Sequence, residues 1–172
     1  MEAEKEIVNR VSSSALITFD LEQYYQPGER ILVDIKDQLF QGLILKEKDF
    51  REFIQSTDWS QYADKFVAIH CSADAIVPTW AYILLTIALE SHAKRIAFGT
   101  LDDLETQLFH ESLSKIDWTE FRNAKVVIKG CSKVKVPNSA YVEVSCRLKP
   151  LATSLMYGEA CSTVPLYKKP KA

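Results

Sequence analysis

Short apolar runs and helical spacings alternate along this chain and predict its secondary structure. Compact apolar or alternating stretches, typical of strands, are found at residues 15–21, 30–35, 66–69, 95–98, 126–128 and 154–157. A Gly-Leu-Ile-Leu run predicts a further strand at residues 42–45. Apolar residues that recur every three or four positions, as on one face of a helix, predict helices at residues 49–55, 80–93, 101–114 and 139–148.

This alternation predicts an α/β fold, in which a mostly parallel sheet carries helices on both faces. The first two strands are separated by the turn-forming Gln26-Pro27-Gly28 and are expected to form an antiparallel edge. Residues 1–14 are polar and predict a loose lead-in, and the chain is expected to end in a tail, residues 159–172. With 47% apolar and 26% charged residues, the composition is that of an ordinary globular protein, and we expect one domain, residues 1–172.

The chain also contains an internal repeat, which is clearest around two of its four cysteines. KFVAIHCSADAIVPTWAY begins at residue 65 and KVVIKGCSKVKVPNSAY at residue 125, so each Cys-Ser is followed by Val-Pro and then Ala-Tyr. These matches predict a duplication of residues 44–99 and 101–158. The two halves are expected to superpose by a near-twofold rotation, with the strands that lead to Cys71 and Cys131 parallel in one sheet.

Three cysteines are expected to meet at the carboxyl edge of this sheet, where open α/β sheets bind ligands. Cys71 and Cys131 each follow a predicted strand, and Cys161 begins a third Cys-Ser with a nearby Val-Pro. Thiolates favour zinc, copper(I) or the iron of iron–sulfur clusters, and three cysteines leave a fourth position for another ligand. The predicted metal ligands are Cys71, Cys131, Cys161 and Asp74, with His70 and Glu159 as other candidates for the fourth position.

A serine follows each of these cysteines, and its hydroxyl could donate a hydrogen bond that stabilises the thiolate. These supporting residues are Ser72, Ser132 and Ser162, and the alternative role of each is to cap the helix or turn that follows. The fourth cysteine, Cys146, lies outside the pattern on a predicted helix, and we expect it in the core.

Two other repeated pairs have simpler structural interpretations. Pro78 and Pro137 are expected to set the entry to the helices that follow them. The Asp58-Trp59 and Asp117-Trp118 pairs are expected to begin turns and to pack their tryptophans against the sheet.

The net charge and the distribution of charged residues argue against nucleic-acid-binding and membrane-associated classes of protein. A formal net charge of −2 without a basic patch argues against nucleic-acid binding. The charged N-terminus lacks the apolar run of a signal peptide, and the longest uncharged stretch, residues 75–89, is too short to span a bilayer. We therefore expect a cytoplasmic protein without membrane association, in which cysteines serve as free thiols, metal ligands or redox groups more often than as structural disulfides.

The sequence contains no GxSxG elbow, Gly-rich phosphate loop or His-rich metal motif. We therefore expect an accessory or carrier protein that holds zinc or an iron–sulfur cluster, and not an enzyme. Two alternatives remain open. One is a non-catalytic interaction module with structural cysteines, and the other is a thiol redox protein in which the Cα atoms of Cys71 and Cys131 lie within about 7 Å.

The segments ALITFDLEQYY, GERILVDIKDQLFQGLILKEKDFREF, CSADAIVPTWAY, KGCSK and MYGEACSTVPLYK resemble an uncharacterised bacterial family, domain of unknown function 2480. The resemblance covers residues 6–168. Its members tend to be encoded near genes for sulfur-mobilisation iron–sulfur assembly, which implies iron–sulfur assembly proteins as partners and assigns no role to individual residues. The order of elements also resembles, more loosely, anti-sigma-antagonist domains, which act only by binding partners.

Overall fold

The computed structural model describes residues 16–130, 133–159 and 162–170. The strands are β1 (Leu16–Asp20), β2 (Arg30–Asp34), β3 (Phe66–His70), β4 (Arg95–Phe98), β5 (Lys125–Lys129), β6 (Ser154–Glu159) and β7 (Ser162–Lys168). The α-helices are α1 (Glu47–Ser56), α2 (Thr79–Glu90), α3 (Leu101–Leu113) and α4 (Asn138–Leu148). The chain divides into two compact units: unit 2 comprises residues 26–111, and unit 1 comprises the described parts of residues 1–25 and 112–172.

Unit 2 is built on a parallel sheet with the strand order β2-β3-β4. The first four residues of β3, Phe-Val-Ala-Ile, are buried, as expected for a central strand that is covered on both faces. One face packs on helices α1 and α2 through a cluster that includes Phe50, Val67 and Leu85. The other face packs on α3 through a cluster that includes Phe66 and Leu104. The sheet is therefore the middle layer of unit 2.

Unit 1 is built on a sheet with the strand order β1-β5-β6-β7. Strands β1, β5 and β6 are parallel, and β7 pairs antiparallel with β6 at the edge of the sheet. Helix α4 buries Ala140, Val144 and Leu148, whose spacing of four residues places them on one face. Pro165 of β7 lies opposite Met156, and proline is tolerated there because an edge strand does not need every N–H donor.

The predicted α/β class with mostly parallel strands is confirmed. Asp58 and Asp117 begin turns as predicted, because each carboxylate accepts a hydrogen bond from the backbone N–H two residues later and starts a short 3-10 helix. Pro78 and Pro137 are the N-cap residues of α2 and α4, which confirms that they set the entry to these helices.

The arrangement of the strands differs from the prediction in two ways. The strands form two sheets, so the expectation that β3 and β5 lie in one sheet is wrong. The first two strands do not form the expected antiparallel edge: β1 pairs in parallel with β5, and β2 pairs in parallel with β3. The antiparallel pair is instead β6–β7. The reason is local: Asp20 and Asp34 end their strands, cap the 3-10 helices that follow and lead the chain away from a hairpin.

Two segments take other conformations than predicted. Residues 42–45 are not a strand, because Gln41 and Gly42 have φ angles of 52° and 71° and make a tight turn between Phe40 and Ile44. Residues 162–168, within the expected tail, form β7.

In the described part of the chain, the helices are too short or too polar to cross a membrane.

Candidate functional site

The carboxyl edge of the unit 2 sheet contains the first predicted metal ligand. Cys71 directly follows β3, is half-buried, and its Sγ lies 3.8 Å from the Ala73 carbonyl oxygen. Ser72 donates to the Asp34 carboxylate from its backbone N–H at 3.0 Å and from its hydroxyl at 2.6 Å. The Lys36 N–H donates to the same carboxylate at 3.0 Å. These bonds tie the loop after β3 to the end of β2.

Asp34 is a fixed negative charge at this edge. Burial raises the pKa of its carboxyl group, but hydrogen bonds from Ser72 and Lys36, together with the Lys36 charge, outweigh burial and lower the pKa to about 2. Burial raises the pKa of Tyr82, and electrostatic interactions with Cys71 and Asp34 raise it further. At neutral pH the edge therefore holds an ionised carboxylate, engaged in hydrogen bonds, beside a protonated tyrosine.

The described residues do not assemble a metal site by themselves. No three His, Cys, Asp or Glu side chains among them lie close enough to hold one ion. Asp74 is exposed in the loop after β3, and Ser162 is the exposed first residue of β7. The other predicted site residues lie outside the described part of the chain: Cys131, Ser132 and Cys161. The three-cysteine site therefore stays a prediction.

The expectation that Cys146 lies in the core is wrong. Cys146 is exposed on α4, because α4 turns Val144 and Leu148 inward. Of the alternative roles of Ser72, a cap on helix α2 is not seen, because the N-cap of α2 is Pro78 and the Ser72 hydroxyl donates to Asp34.

The carboxyl edge of the unit 1 sheet has different chemistry. Asp20 lies opposite Lys129 of β5, and Lys129 Nζ lies 3.3 Å from Asp20 Oδ2 and 3.7 Å from Glu159 Oε2. The hydrogen bond and the charge of Asp20 raise the pKa of Lys129. In unit 2 the aspartate at the end of the first strand, Asp34, lies opposite His70 instead.

Each unit also has an apolar groove, between one helix and the strand that follows it. The unit 2 groove, between α2 and β4, has a volume of about 290 Å³ and is lined by residues that include Tyr82, Ile83, Thr86, Ile87, Ile96 and Phe98. The unit 1 groove, between α4 and β6, has a volume of about 380 Å³ and is lined by residues that include Ile128, Tyr141, Val142, Ser145, Tyr157 and Leu166. Aromatic rings meet in both grooves, with centroid separations of 5.1 Å for Tyr82–Phe98 and 5.9 Å for Tyr141–Tyr157.

The unit 2 groove leaves large apolar side chains open to solvent. Ile83 and Ile87 of α2 are 54% and 66% exposed, and Phe98 at the end of β4 is 63% exposed. Helix α2 contains no charged residue before Glu90, its last residue. A helix that is apolar on all sides is normally covered on all sides, so this surface is unusual for one that faces water.

The two grooves also differ at the adjoining edge of the sheet. In unit 1, β7 covers the edge of β6, Val164 lies opposite Tyr157, and Leu166 lines the groove. Among the described residues, β4 pairs only with β3, so the corresponding edge of unit 2 is open. The unit 2 groove thus borders an unpaired strand edge.

Sequence reasoning missed these groove residues, although a signal was present. The segment TWAYILLTIALE, which overlaps the predicted helix at 80–93, is strongly apolar and lacks the polar face of a surface helix. The sequence does not say which apolar side chains of such a helix are covered by its own domain, and only the packing of α2 shows that Ile83 and Ile87 are not.

These features define a mixed α/β protein with two mostly parallel sheets. The chain matches the family described as "Protein of unknown function (DUF2480)" over residues 5–169 and belongs to that family. No curated protein and no solved structure matches the chain. The family description assigns no activity, so the function has to be inferred from the grooves and the sheet edges.

Proposed function

We propose that this protein is a non-catalytic interaction module and that the groove between α2 and β4 of unit 2 receives its partner. The supporting observation is the exposed, uncharged surface formed by Ile83, Ile87 and Phe98. Apolar clusters of this kind on a soluble domain mark protein-binding surfaces, because burial of each large side chain against a partner contributes about 1.5–3 kcal/mol.

The β6–β7 pair of unit 1 indicates the kind of partner that suits this groove. β7 is extended, runs antiparallel to β6 and contributes Leu166 to the lining of the unit 1 groove. The open edge of β4 borders the unit 2 groove in the same way. The partner therefore adds an extended strand antiparallel to β4 and places apolar side chains at alternate positions over the groove. In this mode of recognition, main-chain hydrogen bonds provide affinity and the groove provides specificity.

A peptide with the β7 sequence, Ser-Thr-Val-Pro-Leu-Tyr-Lys, tests this proposal. Titration of the peptide into the full-length protein is expected to shift the amide NMR signals of α2 and β4. The matched control peptide has serine in place of its valine and leucine and is expected to cause no shift. Ile83→Lys should abolish the response, whereas Val142→Lys, at the matching position of α4, should preserve it. Unchanged α2 and β4 signals at millimolar peptide, or equal shifts with the serine peptide, would contradict the proposal.

A second proposal is a cysteine-based accessory protein of the cytoplasm that binds zinc or an iron–sulfur cluster and serves iron–sulfur assembly proteins. It is supported by the repeated Cys-Ser contexts and by the half-buried position of Cys71 at the carboxyl end of β3. The donors among the described residues do not complete a site, so the proposal depends on Cys131 and Cys161. Together with Cys71, their thiolates would supply the soft ligands that these metals prefer.

Metal analysis and visible absorption of protein purified without oxygen test the cysteine-based function. We expect bound metal in the native protein and its loss when Cys71, Cys131 and Cys161 are all changed to serine. Cys146→Ser is the matched control and should retain the metal. Metal-free native protein would contradict this proposal, and a Cys71–Cys131 disulfide after mild oxidation would favour the thiol redox alternative instead.

A further inference from the structure

We infer that the strand added at β4 is β4 of a second copy, so that the protein forms a twofold dimer through unit 2. This inference rests on the proposed function, because it names the occupant of the same groove and edge. A twofold dimer requires that the strand edge, the groove and the charged groups of one copy fit the same features of the second copy.

The edge of β4 meets the first requirement. A twofold axis perpendicular to the sheet brings two β4 strands side by side and antiparallel, which is also the direction in which β7 pairs with β6. The two parallel sheets of the dimer then join into one continuous sheet, and neither copy retains an open β4 edge. Pairing of this kind removes the exposed main-chain donors and acceptors that an edge strand presents.

The side chains of β4 favour a register centred on Ala97. Side chains that lie directly opposite each other in an antiparallel pair are on the same face of the sheet. Ile96 and Phe98 both line the groove, so this register places Phe98 of each copy opposite Ile96 of the other. An aromatic side chain opposite a β-branched one is a favourable cross-strand pair.

The charges near β4 are also compatible with self-pairing. The register centred on Ala97 places Arg95 opposite Gly99, so like charges do not meet across the interface. Arg95 is held by α3, on the other side of the sheet from the groove: its Nε lies 2.5 Å from Glu111 Oε1 and its Nη2 lies 3.3 Å from Gln107 Oε1. Its guanidinium group is therefore already neutralised within one copy.

Helix α2 completes the interface, because the twofold axis keeps both α2 helices on the same face of the joined sheet. Each helix offers Ile83, Ile87 and three hydroxyl-bearing residues to the groove, without a charged side chain. Apolar surfaces that lack charge are typical of the centre of protein interfaces. Helix α4 of unit 1 differs, because it carries Glu143 and Arg147 and follows an edge already paired with β7.

Sedimentation of the full-length protein over a range of concentrations tests this inference. We expect a dimer in the native protein and an increase of at least about 30-fold in its dissociation constant for Ile83→Lys with Ile87→Lys. Val142→Lys is the matched control, on the equally exposed turn of α4, and should dimerise as the native protein does. Thermal unfolding of each variant at low concentration shows whether the fold is retained.

A second pair of variants tests the register. Phe98→Glu and Ile96→Lys should each prevent dimerisation, and an equimolar mixture of the two chains should form a heterodimer, because the new charges lie opposite each other. A native protein that stays monomeric at every concentration would overturn the inference that a second copy occupies the groove. The peptide titration then decides separately whether the groove binds a strand. A dimer that survives the two lysines in α2, or a mixture that fails to associate, overturns the interface described here.

Discussion

The two units build similar grooves and complete them differently. In unit 1 the strand edge beside the groove is paired with β7, and Leu166 of β7 lines the groove while remaining 56% exposed. In unit 2 the edge of β4 is open among the described residues, and Ile83, Ile87 and Phe98 remain exposed. Unit 1 therefore shows, within the same chain, what kind of element such a groove accepts.

The helices beside the two grooves differ in a related way. Helix α4 carries Glu143 and Arg147, which form an ion pair of 3.8 Å. Helix α2 has uncharged residues throughout, up to Glu90. Open apolar surface without charge promotes association, and the difference in composition therefore supports the proposal that unit 2, and not unit 1, receives the partner.

The largest expected effect concerns the buried face of α2. Leu85 is fully buried, and Leu85→Ala is expected to lower the free energy of unfolding by about 2–5 kcal/mol, because it leaves a cavity. Val144→Ala, at the matching buried position of α4, should cost less because it removes a smaller side chain. Urea unfolding measures both values. A loss below about 1 kcal/mol for Leu85→Ala would mean that α2 is not packed on its sheet as described.

Two glycines, one directly after β4 and one near the end of β6, give the next effect. Gly99 and Gly158 have φ angles of 122° and 117°, so alanine is strained at both positions. A Cβ atom on Gly158 would lie 2.7 Å from the backbone oxygen of Ser162 in β7, whereas one on Gly99 would lie 2.5 Å from the side chain of Asp103.

A side chain can move more easily than the backbone of a paired strand. We therefore expect Gly158→Ala to cost about 2–3 kcal/mol and Gly99→Ala about 1–2 kcal/mol, measured by urea unfolding. Equal losses would argue that β7 is not held firmly against β6.

Asp34→Ala tests the tie at the carboxyl edge of unit 2. The variant leaves the N–H groups of Lys36 and Ser72 without this acceptor, and we expect a loss of about 1–2 kcal/mol at neutral pH. The pKa of Asp34 is lowered to about 2 in the folded protein, so its contribution is complete above the ordinary aspartate pKa and is lost as pH falls toward 2.

The difference in melting temperature between native protein and Asp34→Ala should therefore shrink between about pH 4 and pH 2. Asp58→Ala, which removes an exposed cap, is the control and should lower the melting temperature at neutral pH by less than Asp34→Ala does. A difference for Asp34→Ala that is unchanged at pH 2 would show that its carboxylate charge is not what stabilises the edge.

The smallest expected effect is on the exposed face of α2. Ile83→Ala should change the unfolding free energy of the monomer by no more than about 0.5 kcal/mol, because the side chain is largely in water there. Thermal unfolding at low protein concentration measures this value. If Ile83→Ala is as destabilising as Leu85→Ala, Ile83 belongs to the core and the groove is not an open surface.

Local signals in the sequence predicted most of the fold, whereas pairing between distant strands could not be predicted. The continuous apolar run of β3 and the caps at Asp58 and Asp117 depend on neighbouring residues, and they were identified correctly. The parallel pairing of β1 with β5 joins residues far apart in the chain and leaves no periodic signal. The separation of β3 and β5 into two sheets was missed for the same reason.

The candidate sites show a similar limit. The repeated Cys-Ser motif predicts a site at the carboxyl edges of the strands. The structure adds the hydrogen bond from Ser72 to Asp34, which could not be predicted because it depends on β2 and β3 being neighbours. The unit 2 groove could not be predicted, because packing, and not the sequence of α2 alone, decides which of its side chains are buried. The internal duplication stays a prediction; the Tyr82–Phe98 and Tyr141–Tyr157 ring contacts agree with it, whereas the separation of β3 and β5 into two sheets does not.

Hydrogen exchange at β4, followed in the full-length protein at low and at high micromolar concentration, tests the pairing of the open edge most directly. We expect the amides of Arg95–Phe98 to exchange more slowly as concentration rises, because a second copy pairs with this strand. The amides of Ser154–Glu159, already paired with β7, should exchange at the same rate under both conditions. Exchange at β4 that is equally fast at both concentrations would contradict the pairing of unit 2 with a second copy.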